Sequence, residues 1–183
     1  MTDIKGYIIF LYQIVPETVY QGILSLLILG LVMPLSLLGI KRGWRICFRI
    51  MLFLYIYLIF GITVLYRITN GNTGHNFNLF WSYKAILEGE NNLIAEIIMN
   101  VLVFIPLGIL LGLAWQSIKW WHVLIVGLSV SITIEALQYY LQKGFSEIDD
   151  IIHNVLGCML GFGLFPLIKY GYKMFYKRRV AIL

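Results

Sequence analysis

Apolar residues in this chain come in blocks long enough to cross a bilayer, about twenty residues each, and few of the blocks carry a polar face. Five membrane spans are predicted, over 18–40, 46–66, 92–114, 121–142 and 150–170. A shorter apolar segment, 4–15, is cut off by Pro16 and Glu17 and reads as an interfacial helix. The loop 67–91 carries turn residues in RITNGNTGHN. Its second half, FNLFWSYKAILEG, reads as a short interfacial helix with Phe77, Phe80, Trp81 and Tyr83 at headgroup level. The predicted fold is all-α: one polytopic membrane domain over 1–183, because a helix satisfies its own backbone in lipid. No repeat, soluble domain or cleavable leader is expected, and the first block reads as a retained span.

Composition supports this reading. Apolar types make up 60% and charged types 13%, against about 45–50% and 25% in soluble domains. The net charge of +5 is no nucleic-acid signature, because the basic residues sit between apolar blocks. Lys41, Arg42, Arg45, Arg49, Lys119, Lys169, Lys173, Lys177, Arg178 and Arg179 fall on one side, and Lys5, Arg67, Lys84 and Lys143 on the other. The positive-inside rule then places the N-terminus outside and the C-terminus in the cytoplasm. Cys47 and Cys158 lie far apart in apolar runs and read as buried, inert thiols.

The few polar residues within spans fall on stripes. Ser131, Glu135, Gln138 and Gln142 recur at i, i+4, i+7 and i+11, as do Asp150, Asn154, Gly157 and Gly161. Glu96 and Asn100 share a face that Gly108 and Gly112 continue. The glycines permit close helix contact. At about 1.5 Å per residue, Glu135 lies roughly 10 Å, Asn100 roughly 12 Å and Asn154 roughly 6 Å below the external face. With Arg67 at the external end of its span, these residues predict a polar pocket open to the outside on an apolar base. Glu135 is the costliest member, at roughly 2.5–3.5 kcal/mol by insertion scales. Arg67 is its expected partner, and Lys143 a second choice.

Plainer roles stand beside these. Asn and Gln glue membrane helices together. Asp150 suits a helix cap, Pro106 a kink that frees carbonyls toward the pocket, and Gln142, Glu147 and Asp149 a solvated rim. His153, Asp150, Glu135 and Asn154 include metal-ligand types, but no HxxxH, HExxH or CxxC spacing is present, so neither metal nor cofactor is expected. Ser131 and Ser146 lack an evident base relay for covalent catalysis. Spans without repeats and a polar stripe confined to one leaflet argue against alternating access.

Several of these pieces resemble the VanZ family of Gram-positive membrane proteins: LYR at 65–67, NL at 78–79, NVLVFIPLGILL at 100–111, EALQ at 135–138 and IDDIIHNVLG at 148–157. The likeness spans about 65–161. By position, the family's polar signature falls on Arg67, Asn78, Asn100, Pro106, Gly108, Glu135, Gln138, Asp150, Asn154 and Gly157. Family members often carry Pro after the NL pair, where this chain has Phe80 and Trp81. Many carry Arg in the loop before the Asp, where this chain has Gly144 to Glu147 and Lys143 nearby. The resemblance implies a multi-pass protein of the bacterial cell membrane associated with reduced susceptibility to teicoplanin and related lipoglycopeptides. Its expected partners are membrane lipids, a lipid-linked wall precursor or the drug. Arg67 would hold an anionic group. Asn78, Asn100, Gln138 and Asn154 would supply hydrogen bonds, and Glu135 and Asp150 would orient donors. The alternative is an intramembrane enzyme on a lipid-linked substrate, with Glu135 or Asp150 as general acid or base.

Overall fold

A computed structural model describes residues 41–67 and 73–180. The predicted interfacial segment 4–15 and first span 18–40 lie outside the described residues. The element order is α1 (Lys41–Phe60), a π-helical turn (Gly61–Leu65), β1 (Gly74–Asn76), α2 (Trp81–Leu87), α3 (Asn92–Ala114), α4 (Trp120–Leu141), β2 (Phe145–Glu147) and α5 (Ile148–Val180). Among the described residues, α1 with its π turn, α3, α4 and α5 are each long and apolar enough to cross a membrane. They match the predicted spans 46–66, 92–114, 121–142 and 150–170, with α5 running on to Val180. The protein is mostly helical, with one addition to the all-α expectation. Strands β1 and β2 pair in parallel, Gly74 with Phe145, His75 with Ser146 and Asn76 with Glu147. Three-residue strands carry too little alternation to register in the hydropathy pattern.

Burial is inverted relative to a soluble bundle. Phe53, Leu102, Ile125, Leu160 and Leu167 face outward, while Ser131, Glu135, Gln138, His153 and Asn154 are buried. An apolar exterior suits lipid, and polar groups turn to the bundle interior. An apolar core that includes Leu52, Ile59, Phe104, Leu107, Leu111 and Ile134 fills the rest.

Helix α5 packs on both α3 and α4. Its contact with α3 is close enough to exclude any side chain at three glycines. A Cβ on Gly157 would lie 2.1 Å from the Val101 carbonyl oxygen, one on Gly161 1.9 Å from that of Ile105, and one on Gly108 1.9 Å from that of Cys158. The predicted glycine faces therefore meet backbone to backbone, the arrangement in which Cα–H···O contacts form. On α4, Gly127 makes room for the Cys158 side chain, whose Sγ lies 3.9 Å from the Val123 carbonyl oxygen. Cys158 is buried as expected, and Cys47 is partly exposed.

Two local irregularities shape the end of the bundle that carries the strands, hereafter the ribbon end. The π turn closes through Tyr66 N–H on the Gly61 carbonyl at 2.8 Å. Helix α4 ends at Gln142 (φ 56°), and Gly144 follows at φ 118°. Left-handed residues there stop the helix and turn the chain into β2. Pro106 sits inside α3. The Val103 carbonyl three residues earlier accepts the Tyr55 hydroxyl of α1 at 2.7 Å.

Gly161→Ala should separate α3 from α5, with a loss of about 1–3 kcal/mol as expected of overpacking. Gly163→Ala, where nothing lies within 4 Å of the added atom, should be neutral or slightly stabilising through helix propensity. Thermal unfolding of the two variants in detergent checks the contrast.

Candidate functional site

The polar stripes of α3, α4 and α5 meet at the ribbon end. Asn100 donates from Nδ2 to Asp150 Oδ1 at 2.6 Å, joining α3 to α5. Asn154 donates from Nδ2 to Ser131 Oγ at 3.0 Å, joining α5 to α4. Glu135 is 6% exposed. Its Oε2 accepts the Glu147 backbone N–H at 2.8 Å, and its backbone carbonyl accepts the Ser146 hydroxyl at 3.1 Å. The Glu135 carboxylate thus holds the start of the chain's return into the bundle. Gln138 donates to the Thr63 carbonyl in the π turn at 3.1 Å, tying α4 to α1, while its Oε1 is buried without a hydrogen bond.

Asp149 departs most from expectation. Instead of lining a solvated rim, it is fully buried, at 0% exposure. Its Oδ1 accepts Phe80 N–H at 2.6 Å, and Oδ2 accepts Ser82 N–H at 3.0 Å and the Ser82 hydroxyl at 2.6 Å. This carboxylate therefore supplies the N-cap that α2 lacks locally, from an acidic side chain 67 residues further along the chain. It also holds Phe80 at φ 62°, a conformation costly for a bulky side chain. Glu147 is likewise buried and accepts the Trp81 indole N–H at 3.0 Å. Gln142, by contrast, is exposed as expected of a rim residue.

His153, 1% exposed, adds a third tie to α2: its Nε2 lies 2.8 Å from the Tyr83 hydroxyl. Its Nδ1 faces Asp150 Oδ1 at 3.9 Å. Tyr83, Trp81, Ser82 and Asp149 were not singled out as site residues from sequence. The one available signal was the i, i+4 spacing of Asp149 and His153, which puts both on the face of α5 that α2 covers.

Arg67 makes no direct ion pair with Glu135 among the described residues, contrary to the expected partnership. It lies within electrostatic range of Glu96 and Glu135, and its guanidinium sits against Gly144, where a Cβ would fall 2.5 Å from Cζ. Gly144 is needed twice over, for its positive φ and for this approach. A guanidinium therefore does lie over the loop that lacks its own Arg. Lys143 Nζ reaches the Arg67 carbonyl at 3.5 Å. Asn78 is exposed and bonds through its backbone: its N–H donates to Asn76 Oδ1 at 3.0 Å, and its carbonyl accepts the Trp81 N–H at 3.4 Å. Its side chain does not join the cluster.

The cluster thus combines Asn100, Glu135, Asp150 and Asn154 with Arg67 at its border. Residues 46–169, which contain all of them, match the family model described as VanZ/LLP1. The chain belongs to the VanZ/LLP1 family. Protein VanZ of Enterococcus faecium is 36% identical over 72 residues, which cover 39% of this chain and 45% of that relative. The aligned stretch therefore spans less than half of the relative's length. No solved structure matches the chain. The VanZ/LLP1 match begins at Ile46 within α1, so it takes in the helix whose π turn Gln138 holds, beyond the 65–161 likeness carried by the motifs.

Burial raises the Glu147 carboxyl, which lies just before α5, from 4.5 to about 8. The Asp150 and Glu96 carboxylates add to the rise, and the Trp81 hydrogen bond opposes it. Folding then favours the protonated form. Its stabilising contribution is full below about pH 4.5 and is lost as pH rises through about 8. Stability in detergent should fall across that window, and Glu147→Gln should flatten the profile. Asp149→Ala should cost at least about 2 kcal/mol, because buried donors lose a charged acceptor. Hydrogen exchange over Trp81–Leu87 should accelerate in that variant.

Proposed function

We propose that this protein is a multi-pass protein of the bacterial cell membrane that lowers the action of teicoplanin and related lipoglycopeptides by binding an amphiphile at the ribbon end. The ribbon end faces outward in this reading. Arg45, Arg49, Lys119 and Lys169 mark the opposite, cytoplasmic end, which carries the Arg49–Trp115 contact at 5.1 Å. The observation that carries the reading is the junction of half-buried Asn100 and Asp150 with buried Asn154 and Glu135 between three membrane-length helices. Ionisable groups at such depth are costly and mark sites by default. Membership of the VanZ/LLP1 family supports the resistance association.

Arg67, seated over Gly144, holds an anionic group of the ligand: a lipid headgroup, the diphosphate of a lipid-linked wall precursor, or an acidic group of the drug. Asn100 and Asn154 orient the ligand through their remaining hydrogen-bond capacity. Gln138 contributes its unbonded Oε1.

A second reading, an enzyme acting on a lipid-linked substrate, has one specific observation in its favour. The Tyr83 hydroxyl meets His153, and Asp150 lies behind that ring. This is the order of hydroxyl, base and orienting carboxylate used in acid–base catalysis. A covalent change in the lipid or wall-precursor inventory on expression would select this reading over binding.

Expression of the intact chain in a susceptible Gram-positive host should raise the teicoplanin concentration needed to stop growth. Arg67→Ala and Asp150→Asn should each abolish that rise while leaving the protein in the membrane fraction. They should also weaken binding of purified protein to lipid-linked precursor by about tenfold, the effect of losing one charged contact. Equal protection by all three forms would count against the site.

A further inference from the structure

The ribbon end gathers four carboxyl groups. Glu96, Glu135 and Glu147 all lie within electrostatic range of Asp150. Asp149 is not part of this excess, since the α2 N-terminus satisfies both its oxygens. The basic groups facing these carboxyls are few. Arg67 reaches Glu96 and Glu135, and His153 reaches Glu96. Lys143 directs its Nζ to a backbone carbonyl. One permanently charged group, Arg67, is thus shown reaching two of the four carboxyls among the described residues. Clustered carboxyls in a poorly solvated place repel one another and attract a compensating cation.

A separate observation indicates what kind of cation. His153 is 1% exposed. Its Nδ1 is buried without a hydrogen bond among the described residues and points at Asp150 Oδ1 from 3.9 Å. That gap is too wide for a direct bond. It suits a donor that can serve an imidazole nitrogen and a carboxylate oxygen together. No three His, Cys, Asp or Glu side chains are grouped to hold a metal ion among the described residues. A metal needs its ligands drawn in to about 2.0–2.6 Å. An ammonium carries three donors that reach acceptors at about 2.7–3.2 Å, so it tolerates a more open set.

We infer that the ribbon end binds the primary ammonium of an amphiphile between Asp150, Glu147 and His153. The inference rests on the binding reading above and narrows its ligand class to an amphiphile bearing both an amine and an anionic group, the latter held by Arg67. An ammonium there also fixes the imidazole: Nδ1 accepts from it, and Nε2–H donates to Tyr83. The Trp81 and Tyr83 side chains, which bond Glu147 and His153, place α2 beside the bound head group.

The amine can belong to a lipid headgroup or to the peptide of a wall precursor, and the experiment separates the two. The full chain in detergent is titrated with phosphatidylethanolamine, its N-acetylated form and phosphatidylglycerol, and binding is read by native mass spectrometry. A lysine-containing lipid-linked precursor is compared in the same way with its acetylated form. The free amine should bind about tenfold or more tighter than its acetylated counterpart, since acetylation removes a charged donor. Glu147→Gln, which keeps an acceptor for Trp81, and Asp150→Asn should each shrink that preference. A preference within the ethanolamine lipids assigns a headgroup, and one within the precursors assigns a wall peptide. Equal binding of free and acetylated forms, both weakened by Arg67→Ala, would overturn the ammonium site and leave amphiphile binding standing. Failure of every amphiphile to bind would instead overturn the binding reading itself.

Discussion

The contact between α3 and α5 sets the position of everything else. Gly108, Gly157 and Gly161 let two helix backbones touch, with carbonyl oxygens where side chains would otherwise stand. In lipid there is little hydrophobic gain from helix association, so close packing and polar bonds must supply it. The approach brings Asn100 within 2.6 Å of Asp150. It also sets the face of α5 from which Asn154 reaches Ser131 and His153 reaches Tyr83. Moved outward by the width of a methyl group, α5 would carry its polar residues out of reach of their partners.

Around that axis the polar groups divide their work. Asp149 is consumed by architecture, capping α2, while Gln138 anchors the π turn through Nε2 and keeps Oε1 unbonded. Asp150, Glu147 and His153 combine structural bonds with chemical potential that those bonds do not use up. Glu135 stands between, since its carboxylate orders the backbone that delivers Glu147. Losing Glu135 would disturb both framework and site, so its variants alone would be poor reporters of ligand binding.

Much of this was legible in sequence, because periodicity survives in membrane helices. The four membrane-length helices among the described residues follow from apolar block length. The stripes Ser131–Glu135–Gln138 and Asp150–Asn154 face inward as their spacing requires. The glycines of α3 and α5 meet as small residues do. The interfacial segment after Asn78 does form a helix, at Trp81–Leu87. What sequence hid was long-range polar pairing. Asp149 reads as a rim residue because its partners, Phe80 and Ser82, lie on another segment with no local signature. Arg67 reads as a counter-ion to Glu135 from depth alone, yet its direction is set by the bare backbone of Gly144. Depth is one coordinate, and contact needs three.

The parallel pairing of β1 with β2 has a bearing on how the chain is made. Parallel neighbours cannot be joined by a tight turn, and here the chain passes through α2, α3 and α4 between them. During synthesis β1 emerges first and has no strand to bond until α3 and α4 have followed it. Asp149, the cap for α2, arrives later still. Closure of the ribbon end is therefore the last event in building this part of the molecule, and a chain stopped after α4 would carry the loop without the residues that hold it down.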